Sequence, residues 1–204
     1  MRTLRFSISI AVAAGCGGTQ TPPQPPAATS ACSAEQVGIS RNADELAAKA
    51  GDAGITEHLD KNFPGGLVAW VIPEEKYKDY ILKPPAKKWG RPSASESYQF
   101  QFAGPIAVVR AKVNQTTTED RHVLEEALGV TSGNLKGPIR LVTLDVRKSG
   151  VCVRLPTSED PGATKCTTAE QKDCFKFGGF TSGGVPEIMI IDAPVDRTID
   201  EPVP

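Results

Sequence analysis

Two histidines, His58 and His122, are all that a Ser-His-Asp or Cys-His device could draw on in this chain. His122 stands among Glu119, Asp120, Glu125 and Glu126. On a helix, the His-x-x-Glu spacing sets His122 beside Glu125. Such a pair could exchange a proton or supply two metal ligands, with His58 and Glu57 as candidate further ligands. Nothing in the spacing requires this, and a solvated charged helix face accounts for the same residues. No metal site, cofactor or catalytic residue is therefore expected. The alternative is a hydrolase-type enzyme using His122 or carboxylates.

Other chemical patterns are incomplete. Gly178-Gly179-Phe180-Thr181-Ser182-Gly183-Gly184 is glycine-rich, but no Lys-Ser/Thr follows and Val185-Pro186 leads into a strand. A phosphate cradle needs a helix N-terminus at that point, so a connector is expected. Ser132-Gly133-Asn134 and Lys148-Ser149-Gly150 are similar to two motifs of penicillin-recognising enzymes. The nucleophile's motif is missing, because no serine has Lys three residues later. One local basic patch stands out: Lys83, Lys87, Lys88 and Arg91 around Trp89, interleaved with Pro84, Pro85 and Pro92. It could meet an anionic partner such as a lipid headgroup, a glycan or an acidic protein. The reading preferred is a solvated loop with Trp89 tucked into the core.

The start of the chain carries a different kind of chemistry. Arg2 and Arg5 precede a short apolar run from Phe6 to Ala14, which ends in Ala13-Ala14-Gly15-Cys16. A basic start, a short apolar stretch and small residues make an export signal. The run is too short to span a bilayer, which needs ~20 apolar residues. Residues 17–31 are rich in Gly and Pro and hold no charge and no aromatic ring, the composition of an extended tether.

Ala13-Ala14-Gly15-Cys16 resembles the lipobox of bacterial lipoproteins, although Leu is commoner in that family where Ala13 stands. The resemblance covers the first 16 residues and implies cleavage before Cys16 and acylation of its thiol and amino terminus. It implies a cell-envelope location, with Gly17 favouring the outer membrane. The alternative is an ordinary secreted or periplasmic protein, cut after Ala13. Expected partners are the membrane, through the lipid, and an envelope protein or cell-wall component.

Removal of residues 1–15 leaves 21 cations against 24 acids, a net charge of −3. That balance argues against nucleic acid as a partner. The four remaining cysteines, Cys32, Cys152, Cys166 and Cys174, predict two disulfides in an exported chain. Thr167-Thr168-Ala169-Glu170 fits a capping box and predicts a helix to about Cys174. Such a helix would hold Cys166 and Cys174 ~12 Å apart. A disulfide needs Cα atoms within ~7 Å. Cys152 is thus expected to pair with Cys166 or Cys174, and Cys32 with the other.

The elements that must position these residues follow from periodicity and turn residues. Helices are expected over 40–50 and 55–63, then a buried strand at Leu67–Ile72 and a helix opened by Pro73. Tyr98–Phe102 alternates as a strand, and the β-rich run Pro105–Asn114 reads as its hairpin partner. A helix from Thr118 stops at Gly129. Strands follow at Pro138–Arg147, Val151–Leu155 and Glu187–Asp192. The class is α+β: an antiparallel sheet with helices on one face, its order over 67–147 matching a ferredoxin-like βαββαβ core. The organisation is signal 1–15, tether 16–31, one domain 32–192 with a disulfide-bearing C-terminal segment, and an acidic flexible tail 193–204. A non-enzymatic binding or accessory lipoprotein is the expected role.

Overall fold

The computed structural model describes residues 32–83, 85–158, 160, 164–168, 171 and 174–203. Cys16 and the tether lie outside the described residues. The fold is α+β. Helices α1 (Ala34–Lys49) and α2 (Ile55–Asn62) precede strand β1 (Leu67–Pro73), and α3 (Glu74–Tyr77) runs on as a π-turn through Leu82. Strands β2 (Arg91–Pro92) and β3 (Gln99–Pro105) come next, then helices α4 (Ile106–Val113) and α5 (His122–Leu128). Strand β4 (Ile139–Asp145), helix α6 (Val146–Ser149) and strand β5 (Cys152–Arg154) follow. The chain ends with β6 (Phe175–Lys176), β7 (Phe180–Thr181), β8 (Ile188–Ile191) and β9 (Ile199–Val203).

All pairings in the main sheet are antiparallel, in the order β5-β8-β3-β1-β4-β9, with β2 added to β3. Alternation along the strands divides the core between the two faces. Val68, Trp70, Val142, Leu144, Ile188 and Ile190 face one side, where Phe63, Ile81 and Trp89 cover them. Ala69 and Leu141 face the other, under Val109 and Val113 of α4 and Leu124 of α5. The same face continues across Phe100, Met189, Ile191 and Cys152. The sheet is thus covered on both faces rather than one.

Three expectations give way. The run after Pro105 is helix α4, so Tyr98–Phe102 has no hairpin partner there and the ferredoxin-like order does not form. Pro105 is the residue before the first helical turn, where its missing N–H costs nothing. Val109 and Val113 lie one helical turn apart, both are buried, and Arg110 and Lys112 suit the last turn. Burial at helical spacing outweighs the β-preference of valine.

The acidic tail is strand β9, which closes the open edge of β4. Its acids are paired: Asp200 accepts from Arg140 Nε at 2.8 Å and Glu201 from Arg110 at 2.6 Å. Pro202 is tolerated because β9 is an edge strand.

The disulfides are Cys32–Cys152 and Cys166–Cys174, not the cross-pairing expected. The Cys166 and Cys174 Cα atoms are 5.0 Å apart, which no helix between them allows. Thr167 turns instead to Gln171, whose side-chain oxygen accepts from the Thr167 amide at 2.7 Å and hydroxyl at 2.9 Å. Cys32 bonds to β5 just before Ser33 caps α1, so this helix begins six residues earlier than Ser40.

Candidate functional site

The pairing of β1 with β3 covers only Val68↔Pro105 and Ala69↔Gly104. Beyond Ala69 the two strands part. Trp70–Pro73 keeps β4 on one edge and has no strand partner on the other among the described residues. The wedge between them is a cleft of about 800 Å³. Residues 70–73 form one wall and 99–104 the other, with Lys76, Tyr80, Lys88 and Arg91 also lining it.

The sequence dictates this gap. Pro73 and Pro105 each end a strand by opening a helix. Helix α3 and its π-turn carry the chain away from β1, and the loop before β2 returns it beside β3. Trp89 anchors that loop. It is 1 % exposed, lies edge-on to Trp70, stacks on Tyr77 and donates from Nε1 to the Thr198 hydroxyl at 3.0 Å. Gly90 follows with φ +108°, and a Cβ there would lie 2.2 Å from the Phe100 carbonyl oxygen. Only glycine lets the loop approach β3 so closely.

Two polar atoms in this cleft are buried without a partner: Trp70 Nε1 and Gln99 Oε1. An unsatisfied buried donor or acceptor costs ~1–3 kcal/mol, a cost that a ligand group reaching either atom would offset. On the β3 side, the Gln101 amide donates to the Phe102 carbonyl at 2.9 Å and occupies one acceptor. Glu187, the one acid among the described residues of the lining, has its carboxyl pushed up to about 8 by burial and is mostly protonated at neutral pH.

The expected basic patch divides here. Lys88 and Arg91 line the cleft, and Trp89 is part of its floor; Lys83 and Lys87 are exposed but not in the lining. Lys88 is held by Asp192 at 2.9 Å. His122 lies outside the cleft. It is exposed, with Nε2 3.9 Å from Glu126. Glu125 turns inward, and its two oxygens accept from the Gly133 and Leu135 amides at 2.9 and 2.8 Å. The two are not brought together as a couple. Among the described residues no group of three His, Cys, Asp or Glu could hold a metal ion.

The glycine-rich stretch packs rather than cradles. A Cβ at Gly183 would meet the Glu126 carbonyl oxygen at 2.2 Å, and Thr181 donates to the Ala127 carbonyl at 2.7 Å. The stretch thereby braces the C-terminal end of α5. His58 is buried behind it, between the rings of Phe63 and Phe180. Asn62 lies 3.1 Å from its Nδ1 while Nε2 has no hydrogen-bond partner. Burial lowers its pKa, against the pull of the nearby Glu187 carbonyl.

Beyond the cleft lies a polar cluster that the sequence does not announce. Arg154 donates to Gln36 at 2.9 Å and to Asp160 at 2.6 Å, and Tyr98 donates to Asp160 at 2.9 Å. Gln36 and Tyr98 are far in the chain from Arg154 and Asp160, and the Cys32–Cys152 bond ties the start of α1 to β5 beside them. Comparison with protein-family models, curated proteins and solved structures gives no match to this chain.

Proposed function

We propose that the protein is an exported envelope lipoprotein, held to a membrane by an acylated Cys16, whose domain binds a partner in the cleft between β1 and β3. The anchor rests on the lipobox resemblance of Ala13-Ala14-Gly15-Cys16 and on the uncharged Gly/Pro segment after it. Two disulfides suit an oxidising compartment. The binding role rests on one observation: the cleft contains Trp70 Nε1 and Gln99 Oε1, buried and unpartnered. Apolar walls with a few polar groups of this kind are the usual make-up of a binding site. The partner is an envelope protein or cell-wall component.

A photo-crosslinking side chain placed at Tyr80, which lines the cleft and is 69 % exposed, tests this in intact cells. A control goes at Ile199, which is 74 % exposed and outside the cleft. Adducts from position 80 and none from 199 are the expected result. Equal adducts, or none from either, would reject the cleft as the binding site.

A further inference from the structure

We propose that the cleft accepts an extended acidic peptide segment, which adds as a strand to the free edge of β1 at Trp70–Pro73. The inference rests on the cleft being the binding site and names the chemistry of its occupant.

The first support is the strand edge itself. In an antiparallel strand, alternate residues direct their N–H and C=O groups to opposite sides. Those of Trp70–Pro73 that do not serve β4 point into the wedge, Pro73 offering at most its carbonyl. An open edge of this kind is a template for another chain, and main-chain hydrogen bonds supply the affinity. A polysaccharide has no matching row of alternating donors and acceptors.

Charge supplies the second support. Among the described residues, the cleft lining includes Lys76, Lys88 and Arg91, with Glu187 as its single acid. Lys88 is already paired with Asp192, whereas Lys76 and Arg91 have no ion-pair partner among the described residues. Lys76 follows β1 by three residues, and Arg91 pairs with Phe100 of β3. They therefore flank the wide end of the wedge, opposite the Ala69↔Gly104 apex. Cations there repel a basic strand and meet the carboxylates of an acidic one.

The third support is the pair of orphan atoms. Trp70 Nε1 can donate to a carbonyl or carboxylate, and Gln99 Oε1 can accept a peptide N–H. A peptide carries both partners. Tyr80 stands exposed at the same cleft and offers a ring against side chains on the outer face of the added strand.

The chain's two tryptophans, Trp70 and Trp89, both line the cleft, so its intrinsic fluorescence reports on occupancy. The full-length mature protein in detergent is titrated with an acetylated, amidated octapeptide alternating Val and Glu. A Val/Lys octapeptide and polygalacturonate, a polyanion without a peptide backbone, are run beside it. The expected result is a saturable emission change with Val/Glu and slowed amide exchange within Trp70–Ile72, since Pro73 has no amide hydrogen. Binding should be roughly tenfold weaker in a Lys76→Glu/Arg91→Glu variant whose melting temperature is unchanged. A milder Lys76→Gln/Arg91→Gln variant serves if the first fails to fold. Equal affinity for Val/Lys, an equal response to polygalacturonate, or no protection of any amide in 70–72 would overturn the proposal. Crosslinks from position 80 with no peptide response would reject the acidic strand alone; no crosslinks would reject the cleft as well.

Discussion

Arg154 and Asp160 form a 2.6 Å ion pair in which neither side chain is reached by solvent. Burying two charges is costly, and here Gln36, Tyr98 and Thr157 supply the additional hydrogen bonds. Removing one partner leaves the other charge buried and unpaired. Asp160→Asn or Arg154→Met should therefore destabilise by ~3–5 kcal/mol in urea unfolding. The Arg154→Met/Asp160→Leu double variant should recover much of that. A double variant as unstable as the sum of the singles would show that the pair is not the coupled unit described here.

Glu187 gives the fold an alkaline weakness. Its pKa is about 8 when folded against 4.5 for an ordinary Glu. The unfolded chain ionises this carboxyl first, so stability present below pH 4.5 is lost as pH rises towards 8. A tenfold difference in proton affinity between the folded and unfolded chains is worth about 1.4 kcal/mol, so the loss by pH 9 amounts to a few kcal/mol. Glu187→Gln should be more stable than the parent at pH 9 and indistinguishable at pH 4. Parallel stability–pH curves for the two proteins would contradict this.

His58 works in the opposite direction. Burial lowers its folded pKa below the ordinary 6.5. Stability is intact above pH 6.5 and falls as the unfolded chain takes up a proton below it. His58→Gln should flatten the profile between pH 6.5 and 5, measured by thermal unfolding at each pH. An unchanged slope would mean that another group dominates there.

The sequence is most informative where one physical cause acts alone. Leu67–Ile72 is continuous, apolar and β-rich, and Gly129 ends α5 in the left-handed region with φ 65°. Both are legible from neighbouring residues. Helix α4 is not, because valine's local preference and its burial at helical spacing point to different structures. The Cys166–Cys174 bond is missed because Thr167 has two possible capping partners, Glu170 and Gln171, and the loop uses Gln171. Trp89 is visible as an aromatic residue in a basic loop. The cleft beside it is not, since the parting of β1 from β3 depends on pairings distant in sequence.

The two disulfides should differ in weight. Cys32–Cys152 spans 120 residues and Cys166–Cys174 spans 8. Loop-closure entropy assigns about 5 kcal/mol to the first and about 2.5 to the second. Cys32→Ser/Cys152→Ser should lower the melting temperature more than Cys166→Ser/Cys174→Ser. The first bond also joins the start of α1 to β5, where Gln36 meets Arg154. Its loss should therefore speed amide exchange in residues 34–43 ahead of the rest of the domain. A larger effect from the shorter loop would point to native-state packing rather than chain entropy.

Acylation of Cys16 is the prediction on which the cellular reading depends. A single acyl chain holds a protein to a membrane only marginally, whereas two or more anchor it stably. The lipobox resemblance implies a diacylglycerol on the thiol and a further chain on the new amino terminus. Fifteen residues, and so sixteen Cα–Cα steps, separate Cys16 from Cys32, where the described structure begins. Fully extended, they would let the domain stand up to ~55 Å from the anchored cysteine. The wild-type chain should incorporate labelled fatty acid and partition into detergent, and Cys16→Ser should do neither while keeping the melting temperature of the domain. Mass spectrometry of the mature amino terminus should find acylated Cys16. An unmodified terminus at Ala14 would instead establish ordinary secretion.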